Sequence, residues 1–150
     1  MQLMMNRRRQ NGFTLLEVLV ALIVLSIGLL GLSGLQTLGL RNNYSAAQRS
    51  QATLASNDII DRMRANRDAA TAGNYNISYG QTPAHVTCSS CSVSQVATID
   101  LGQWHAYVER LPAGEGDIAV TAAGSAVVRL RWNDARDINN KLELVTKVQL

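Results

Sequence analysis

Residues 12–17 read Gly-Phe-Thr-Leu-Leu-Glu, and they open an apolar stretch whose uncharged part extends from Val18 to Leu40. A basic cluster, Arg7 to Arg9, stands just before them. A carboxylate at the centre of a bilayer costs about 2.5–3.5 kcal/mol on insertion scales. A plain membrane anchor has no use for such a residue, so Glu17 requires a functional explanation.

The segment from Phe13 to Leu40 has the length of a membrane-spanning helix. Such a helix is about 42 Å long, whereas the hydrocarbon core of a bilayer is about 30 Å thick. A secretory signal peptide has a shorter apolar core of about 7–15 residues and ends at a small-residue cleavage site, which residues 38–41 do not provide. We expect the segment to stay in the mature protein, with the basic N-terminus in the cytoplasm and the chain from Arg41 onward in the periplasm.

The basic leader followed by Gly-Phe-Thr-Leu-Leu-Glu resembles the processing site of type IV prepilins. The resemblance implies that a prepilin peptidase and N-methyltransferase cuts between Gly12 and Phe13 and methylates the new N-terminal Phe13. It also implies that Glu17 forms a salt bridge with the terminal amine of a neighbouring subunit during filament assembly. The alternative is a plain N-terminal anchor that carries an acid by chance.

The charge balance belongs largely to the leader. The chain has 14 Lys and Arg side chains against 11 Asp and Glu side chains, and its pI is about 9.2. Removal of residues 1–12 takes away the three leader arginines and leaves equal numbers of the two signs. The basic pI is therefore no indication of nucleic-acid binding.

The helical pattern continues beyond Leu40. Ala52, Ala55, Ile59 and Met63 recur at three- and four-residue spacing on one face, with charged residues around them. The sequence predicts one long helix from Phe13 to a residue between Arg64 and Ala72, with Gly73 as the stop. Arg62, Arg64 and Arg67 are expected to form a solvated face.

The remainder predicts a small domain. Residues 73–99 are polar and weakly periodic, so we expect a loop-dominated connection. A short second helix is expected to be capped by Asp100 and ended by Pro112. Its apolar face contains Leu101, Trp104, Val108 and Leu111, with Trp104 as a core anchor.

Three antiparallel strands complete the prediction. The segments Ile118–Ala122 and Val127–Trp132 flank a turn at residues 123–126 and predict a hairpin. The C-terminal segment alternates in the same way, with Leu142, Leu144, Val148 and Leu150 on one face. The predicted fold is a type IV pilin-like α+β domain, divided into a cleaved leader (1–12), a membrane or filament-core half of the helix (13–40), an amphipathic half (41–72) and a periplasmic domain (73–150).

Cys88 and Cys91 form a Cys-Ser-Ser-Cys motif in a polar segment. An even number of cysteines in a region expected to lie in the oxidising periplasm favours a structural disulfide. A redox motif would need the pair at the start of a helix after a buried strand, and residues 79–93 show neither pattern. A metal site would need His85 and His105 as further ligands. Glycine-rich phosphate loops, His-Glu-x-x-His helices and nucleophile elbows are lacking, so we expect no enzyme, no cofactor and no metal.

Further residues resemble the PilV-type minor pilins. They are the segments Val18–Leu22, Ile27–Gly31 and Asp61–Arg67, and later Asp100, Trp104 and Leu111-Pro112. The resemblance implies a minor pilin that joins other minor pilins to prime type IV pilus assembly, at the pilus tip, with twitching motility as the dependent process. It implies as partners the prepilin peptidase, the major pilin, other minor pilins, the inner-membrane assembly platform and inner-membrane lipid. The location would be the inner membrane before assembly and the pilus surface afterwards.

Two other functions stay open. A minor pseudopilin of a type II secretion system shares the leader, the helix and Glu17. A DNA-uptake or adhesin pilin would use Arg129, Arg131 and Arg136 as a binding patch, although alternating arginines are ordinary on an exposed strand face.

Overall fold

The computed structural model describes residues 12–134 and 136–150. Its helices are α1 (Leu15–Ala65), α2 (Arg67–Thr71) and α3 (Val93–Val108), and its strands are β1 (Glu115–Val120), β2 (Ser125–Asp134) and β3 (Asp137–Gln149). The predicted leader, residues 1–12, lies outside the described residues except for Gly12. The chain divides into two compact units, one up to Leu40 and one from Arg41.

The architecture confirms the predicted fold class, a long N-terminal helix with a three-stranded antiparallel sheet in the order β1-β2-β3. Residues 15–40 of α1 are exposed all round. From Ser45 onward one face of α1 is buried, and its small residues Ala52 and Ala55 let other elements approach closely. The indole N–H of Trp104 donates to the carbonyl of Ala55 at 2.9 Å, so the predicted core anchor is confirmed.

The end of the helical region follows from Gly73. Gly73 has φ of +83°, a left-handed conformation that favours glycine. Its N–H donates to the carbonyl of Ala70 and the N–H of Asn74 donates to that of Ala69, each at 2.9 Å. This pair of bonds is a Schellman motif. The predicted stop is therefore confirmed, with a single-residue break at Asn66 between α1 and α2.

The predicted cap of α3 was wrong. The helix starts at Val93, and Ser92 caps it in a reciprocal capping box with Gln95. This Ser-x-x-Gln spacing satisfies two backbone N–H groups at the helix start, so residues 93–99 are helical and not part of the loop. Asp100 lies within the helix. The predicted apolar face of this helix, by contrast, is buried throughout.

The hairpin is confirmed with shifted bounds. β1 begins before the predicted Ile118 and ends at Val120, because the turn consists of residues 121–124. Gly124 supplies the positive φ (+81°) that this turn needs. Along β2 the even-numbered side chains face the core and the odd-numbered ones are partly exposed. The same alternation along β3 puts Leu142, Leu144, Val148 and Leu150 against the core cluster, as predicted.

Candidate functional site

The segment that carries the predicted cleavage site precedes α1. Gly12, Phe13 and Thr14 are exposed and lie outside the helix, and the side chain of Phe13 is 82% exposed. Thr14 caps the start of the helix: its carbonyl accepts from the N–H of Val18 at 3.3 Å, and its Oγ1 accepts from the N–H of Glu17 at 3.3 Å. The bond between Gly12 and Phe13 is thus set two residues ahead of the first helical residue, Leu15.

Glu17 occupies the first turn of α1. A carboxylate there interacts favourably with the positive end of the helix dipole, by about 0.3–1 kcal/mol at an exposed site. The spacing Thr14-x-x-Glu17 is that of a capping box, and the structure shows one of its two bonds, from the N–H of Glu17 to Thr14. This signal in the sequence was overlooked. No basic side chain within residues 12–134 and 136–150 forms an ion pair with Glu17.

The apolar part of α1 has the properties of a membrane span. Its most apolar window has a mean hydropathy of 2.7, and none of that window is buried within the structure. The hydroxyl groups of Ser26 and Thr37 donate to the carbonyls of Leu22 and Ser33, at 2.7 and 3.0 Å. These bonds satisfy the two hydroxyl donors inside the helix itself, as an apolar environment requires.

Four glycines lie in this apolar part of α1, which remains α-helical throughout. A Cβ atom placed at Gly28, Gly31, Gly34 or Gly39 would meet nothing within 4 Å. Internal packing of the described chain therefore does not require them. Their small size can matter only for what packs against the helix from outside, such as lipid or another helix.

The comparisons with known proteins bear on this segment. Residues 7–33 match the family model of the prokaryotic N-terminal methylation motif. The match spans Gly12, Phe13 and Glu17 together with most of the apolar part of α1. It supports a pilin-like protein, either a type IV pilin or a pseudopilin, which points to a structural protein processed by a prepilin peptidase and anchored in the inner membrane. No curated protein and no solved structure gives a significant match to the chain.

The cysteine motif lies just before α3. Cys88 and Cys91 are at disulfide distance, with Cα atoms 5.5 Å apart. Cys91 directly precedes the capping Ser92, so a helix does follow the pair, against the expectation that no helix start would be found there. The segment before the pair, residues 81–88, has no regular structure. Only one of the two conditions for a thioredoxin-like site is therefore met.

The histidines do not complete a metal site. His85 is exposed, and the Nδ1 atom of His105 lies 3.7 Å from a carboxylate oxygen of Glu109. Both line a groove between residues 82–86 and α3, with a volume of about 530 Å³. In the part of the chain that the structure describes, no three His, Cys, Asp or Glu side chains come close enough to hold a metal ion.

Arg62 is not part of a solvated face, which corrects the prediction. It binds the carboxylates of Asp58 and Asp100, each at 2.9 Å, and the amide oxygen of Gln103 at 2.6 Å. Asp100 also accepts from the hydroxyl of Tyr75 at 2.6 Å. Burial and this hydrogen bond raise the pKa of Tyr75. The cluster joins α1, α3 and the loop after α2, contacts too distant in sequence to be predicted from spacing.

The three arginines proposed as a nucleic-acid patch are all neutralised. Arg129 is bonded to Asp117 and Arg131 to Glu115 across the β1–β2 pair, and Arg136 binds Asp134 at 2.9 Å. The guanidinium of Arg131 also lies 3.9 Å from the ring centre of Tyr79. The hydrogen bond from Arg131 lowers the pKa of Glu115. Paired arginines release fewer counterions on binding a phosphate backbone, so this arrangement does not favour a DNA-binding face.

A polar cluster is buried where the end of β2 meets α1. Ser45, Gln48 and Asp134 are each less than 5% exposed, and the hydrogen bond between Ser45 and Asp134 is the main cause that lowers the pKa of that carboxyl. The amide of Gln48 and the indole N–H of Trp132 have no hydrogen-bond partner among the residues that the structure describes. No local sequence pattern indicates this cluster, since it joins residues about ninety positions apart.

Proposed function

We propose that the chain is a PilV-type minor pilin that joins other minor pilins to prime type IV pilus assembly at the pilus tip. The observation that carries the proposal is the N-terminal motif: residues 7–33 match the methylation motif, and the bond after Gly12 lies in an exposed, non-helical segment. The residues that resemble PilV-type pilins support the finer assignment.

Proteolytic processing of the motif creates a new, cationic N-terminus. The prepilin peptidase cuts between Gly12 and Phe13 and creates a terminal amine on Phe13, which is then methylated. N-methylation of a primary amine to a secondary amine keeps it basic, so the terminus stays cationic. The mature chain then begins two residues before α1, with one cation and the Glu17 carboxylate at the same end of an apolar helix.

Assembly follows from the unpaired acid. In an apolar environment the Glu17 carboxylate needs a cation, and the structure supplies none within its described residues. The terminal amine of a neighbouring subunit provides one and sets the axial register between the two helices. Loss of one partner of a buried ion pair costs about 3–5 kcal/mol.

The first test is the intact mass of the membrane-extracted protein, with and without the prepilin peptidase of the host. We expect loss of residues 1–12 and gain of one methyl group, only when the peptidase is present. An uncut chain, or a cut elsewhere, would remove the basis of the proposal and leave a membrane-anchored domain.

The second test is Glu17→Ala, with Glu17→Asp as the matched control. The Ala variant should be cut and methylated normally but fail to enter the pilus complex, measured by copurification with other minor pilins and by pilus number. The Asp variant keeps the charge and should retain part of the incorporation. Normal piliation by the Ala variant would contradict the salt-bridge mechanism.

A pseudopilin of a type II secretion system is the second candidate, because the matched motif is common to both classes. Deletion of the gene separates them: loss of twitching motility with normal protein secretion supports the pilin, and the opposite result supports the pseudopilin. The DNA-uptake function is tested by salt-dependent DNA binding of residues 41–150, which the paired arginines lead us not to expect.

A structural disulfide between Cys88 and Cys91 is also part of the proposal. It would close a short loop directly before α3, so its contribution to stability should be at the small end for disulfides. We expect both thiols to resist alkylation in the native protein until a reductant is added. Rapid alkylation without reductant would exclude the bridge.

A further inference from the structure

The outer edge of β3 leaves backbone donors and acceptors without a described partner. β3 is the last strand in the order β1-β2-β3, and within residues 12–134 and 136–150 it pairs with β2 alone. It is also the longest strand, with 13 residues. Open edges of this length are sites at which another chain can add a strand.

The register shows which residues of β3 face this edge. The N–H of Asn133 donates to the carbonyl of Pro112 at 2.8 Å, so its backbone points away from β3. Asn133 is opposite Lys141 in the β2–β3 pair. Opposed residues that are not hydrogen-bonded to each other both direct their N–H and C=O groups outward. Backbone groups therefore point to the open edge at alternate residues: Lys141, Glu143, Val145, Lys147 and Gln149.

The other end of the strand gives the same result. The carbonyl of Ser125 accepts from the N–H of Thr121 at 2.9 Å, so it too points away from β3, and Ser125 is opposite Gln149. The N–H of Leu150 donates to the carbonyl of Gly124 at 2.9 Å, as expected for a residue whose backbone faces β2. The open edge thus runs without interruption over residues 141–149.

Side chains of β3 beside this edge are only partly covered or lack an ion-pair partner among the described residues. Val145 is 44% exposed, and Lys147 has no ion pair with any residue that the structure describes. On the core face, Leu142 and Leu144 are only half-buried. An additional strand would cover these apolar side chains and place a charge beside Lys147.

We propose that β3 binds an extended segment of another protein, which adds to the sheet as a further strand. The segment has an apolar side chain opposite Val145 and an acidic one opposite Lys147, since cross-strand pairs of these kinds are favourable. Its main-chain hydrogen bonds supply the affinity and the alternate side chains supply the selectivity.

A second copy of the chain that pairs symmetrically through its own β3 does not fit this role. Ser45 is bonded to Asp134 and Ser56 to Thr146, so residues 45–56 of α1 run in the same direction as β3. A symmetric antiparallel pair of β3 strands is related by a two-fold axis normal to the sheet, which reverses α1 in the second copy. Subunits of one pilus are all oriented alike along it, so residues 45–56 keep one direction in every copy; this exclusion alone rests on the proposed function.

The chain supplies its own probe, a free peptide with the sequence of residues 141–149. Paired antiparallel about Val145, this peptide places its glutamate opposite Lys147 and its central valine opposite Val145. The labelled peptide is titrated against the full chain in detergent micelles, and binding is followed by fluorescence anisotropy. We expect saturable binding, weakened about fivefold when the peptide glutamate is replaced by lysine.

Val145→Pro removes one outward N–H without removing a bond to β2, and Val145→Thr is the matched control that keeps the N–H. The Pro variant should lose peptide binding at least tenfold while its unfolding transition stays that of a folded domain; the Thr variant should bind as the parent chain does. Hydrogen exchange on binding should slow at the odd-numbered amides of residues 141–149. Absence of saturable binding, equal binding by the Pro variant, or protection at β1 instead would overturn the proposal.

The test in cells uses a photo-crosslinking amino acid at position 147. An adduct heavier than the chain is expected, lost with Val145→Pro and kept with Val145→Thr. An adduct of twice the chain mass would show a second copy and overturn the choice of partner, as would no adduct. None of these readouts depends on cleavage after Gly12, so their failure leaves the proposed function standing.

Discussion

The two parts of α1 share one backbone conformation and differ in what surrounds them. Residues 15–40 are exposed on every side, although nearly all of them are apolar. Residues 45–63 bury one face, built from small and aliphatic side chains, against the sheet and α3. A helix that is apolar all round requires lipid or neighbouring helices, whereas an amphipathic one is satisfied within its own domain.

Different interactions therefore determine whether a segment forms a helix and what that helix contacts. The hydrogen bonds of α1 are local, and its end at Asn66 and Gly73 is local too. What each face contacts depends on other parts of the chain, or on other molecules. Stability of the unit from Arg41 should therefore respond to substitutions in its own core and not to those in the apolar half.

Trp104→Ala should have the largest effect. The indole is 1% exposed and donates to Ala55, so its removal should lower the free energy of unfolding by about 3–5 kcal/mol. Urea unfolding of the full chain in detergent micelles, followed by the fluorescence of Trp132, measures the change. Leu25→Ala in the apolar half is the control and should leave that transition unchanged. A comparable loss of unfolding free energy in this variant would contradict the independence of the two parts of α1.

Gly116→Ala tests how closely α3 is packed on β1. A Cβ at Gly116 would overlap a ring carbon of Trp104, so we expect destabilisation of about 1–3 kcal/mol by overpacking. Gly102→Ala is the matched control, because a Cβ there meets nothing within 4 Å. That variant should be neutral or more stable by about 0.5–1 kcal/mol, since alanine is favoured inside a helix. Equal effects in the same urea assay would contradict the packing described.

Asp100→Asn should cost about 1–2 kcal/mol in the same assay, because it weakens charge-assisted bonds from Arg62 and Tyr75. Asp61→Asn removes only an exposed pair with Arg64, at 3.2 Å. That control should change stability by about 0.2–0.5 kcal/mol. If the two substitutions cost the same, Asp100 does not hold the helices together as the structure indicates.

Glu115→Gln should give the smallest effect, and one that depends on pH. The bond from Arg131 lowers the pKa of Glu115 in the folded state below its ordinary value. Its stabilisation is therefore present above that value and is lost as pH falls through the folded pKa. We expect the variant to be less stable by about 0.5 kcal/mol at neutral pH, with the difference vanishing in acid. A difference in stability that persists or grows in acid would contradict this prediction.

Most of the fold could be predicted from the sequence, but its tertiary contacts could not. The strand alternation in Val128, Leu130 and Trp132 and the glycine at residue 73 are local signals, and each was interpreted correctly. The start of α3 was missed, although Ser92 and Gln95 carry a capping signal, because the polar composition of residues 73–99 favoured a loop. The predicted cleavage and assembly residues Gly12, Phe13 and Glu17 lie within the matched motif, and their roles stay a proposal.

The basic leader, the apolar span, the end of the long helical region and the three alternating strands could be predicted from the sequence. These features depend on residues within a few positions of one another, so periodicity and spacing suffice to predict them. The tertiary structure alone decided that Arg62 binds Asp100, that Arg129 and Arg131 are neutralised by β1, and that the edge of β3 is open. Such contacts depend on where distant segments come together, and the free energy of that packing is not contained in any local pattern.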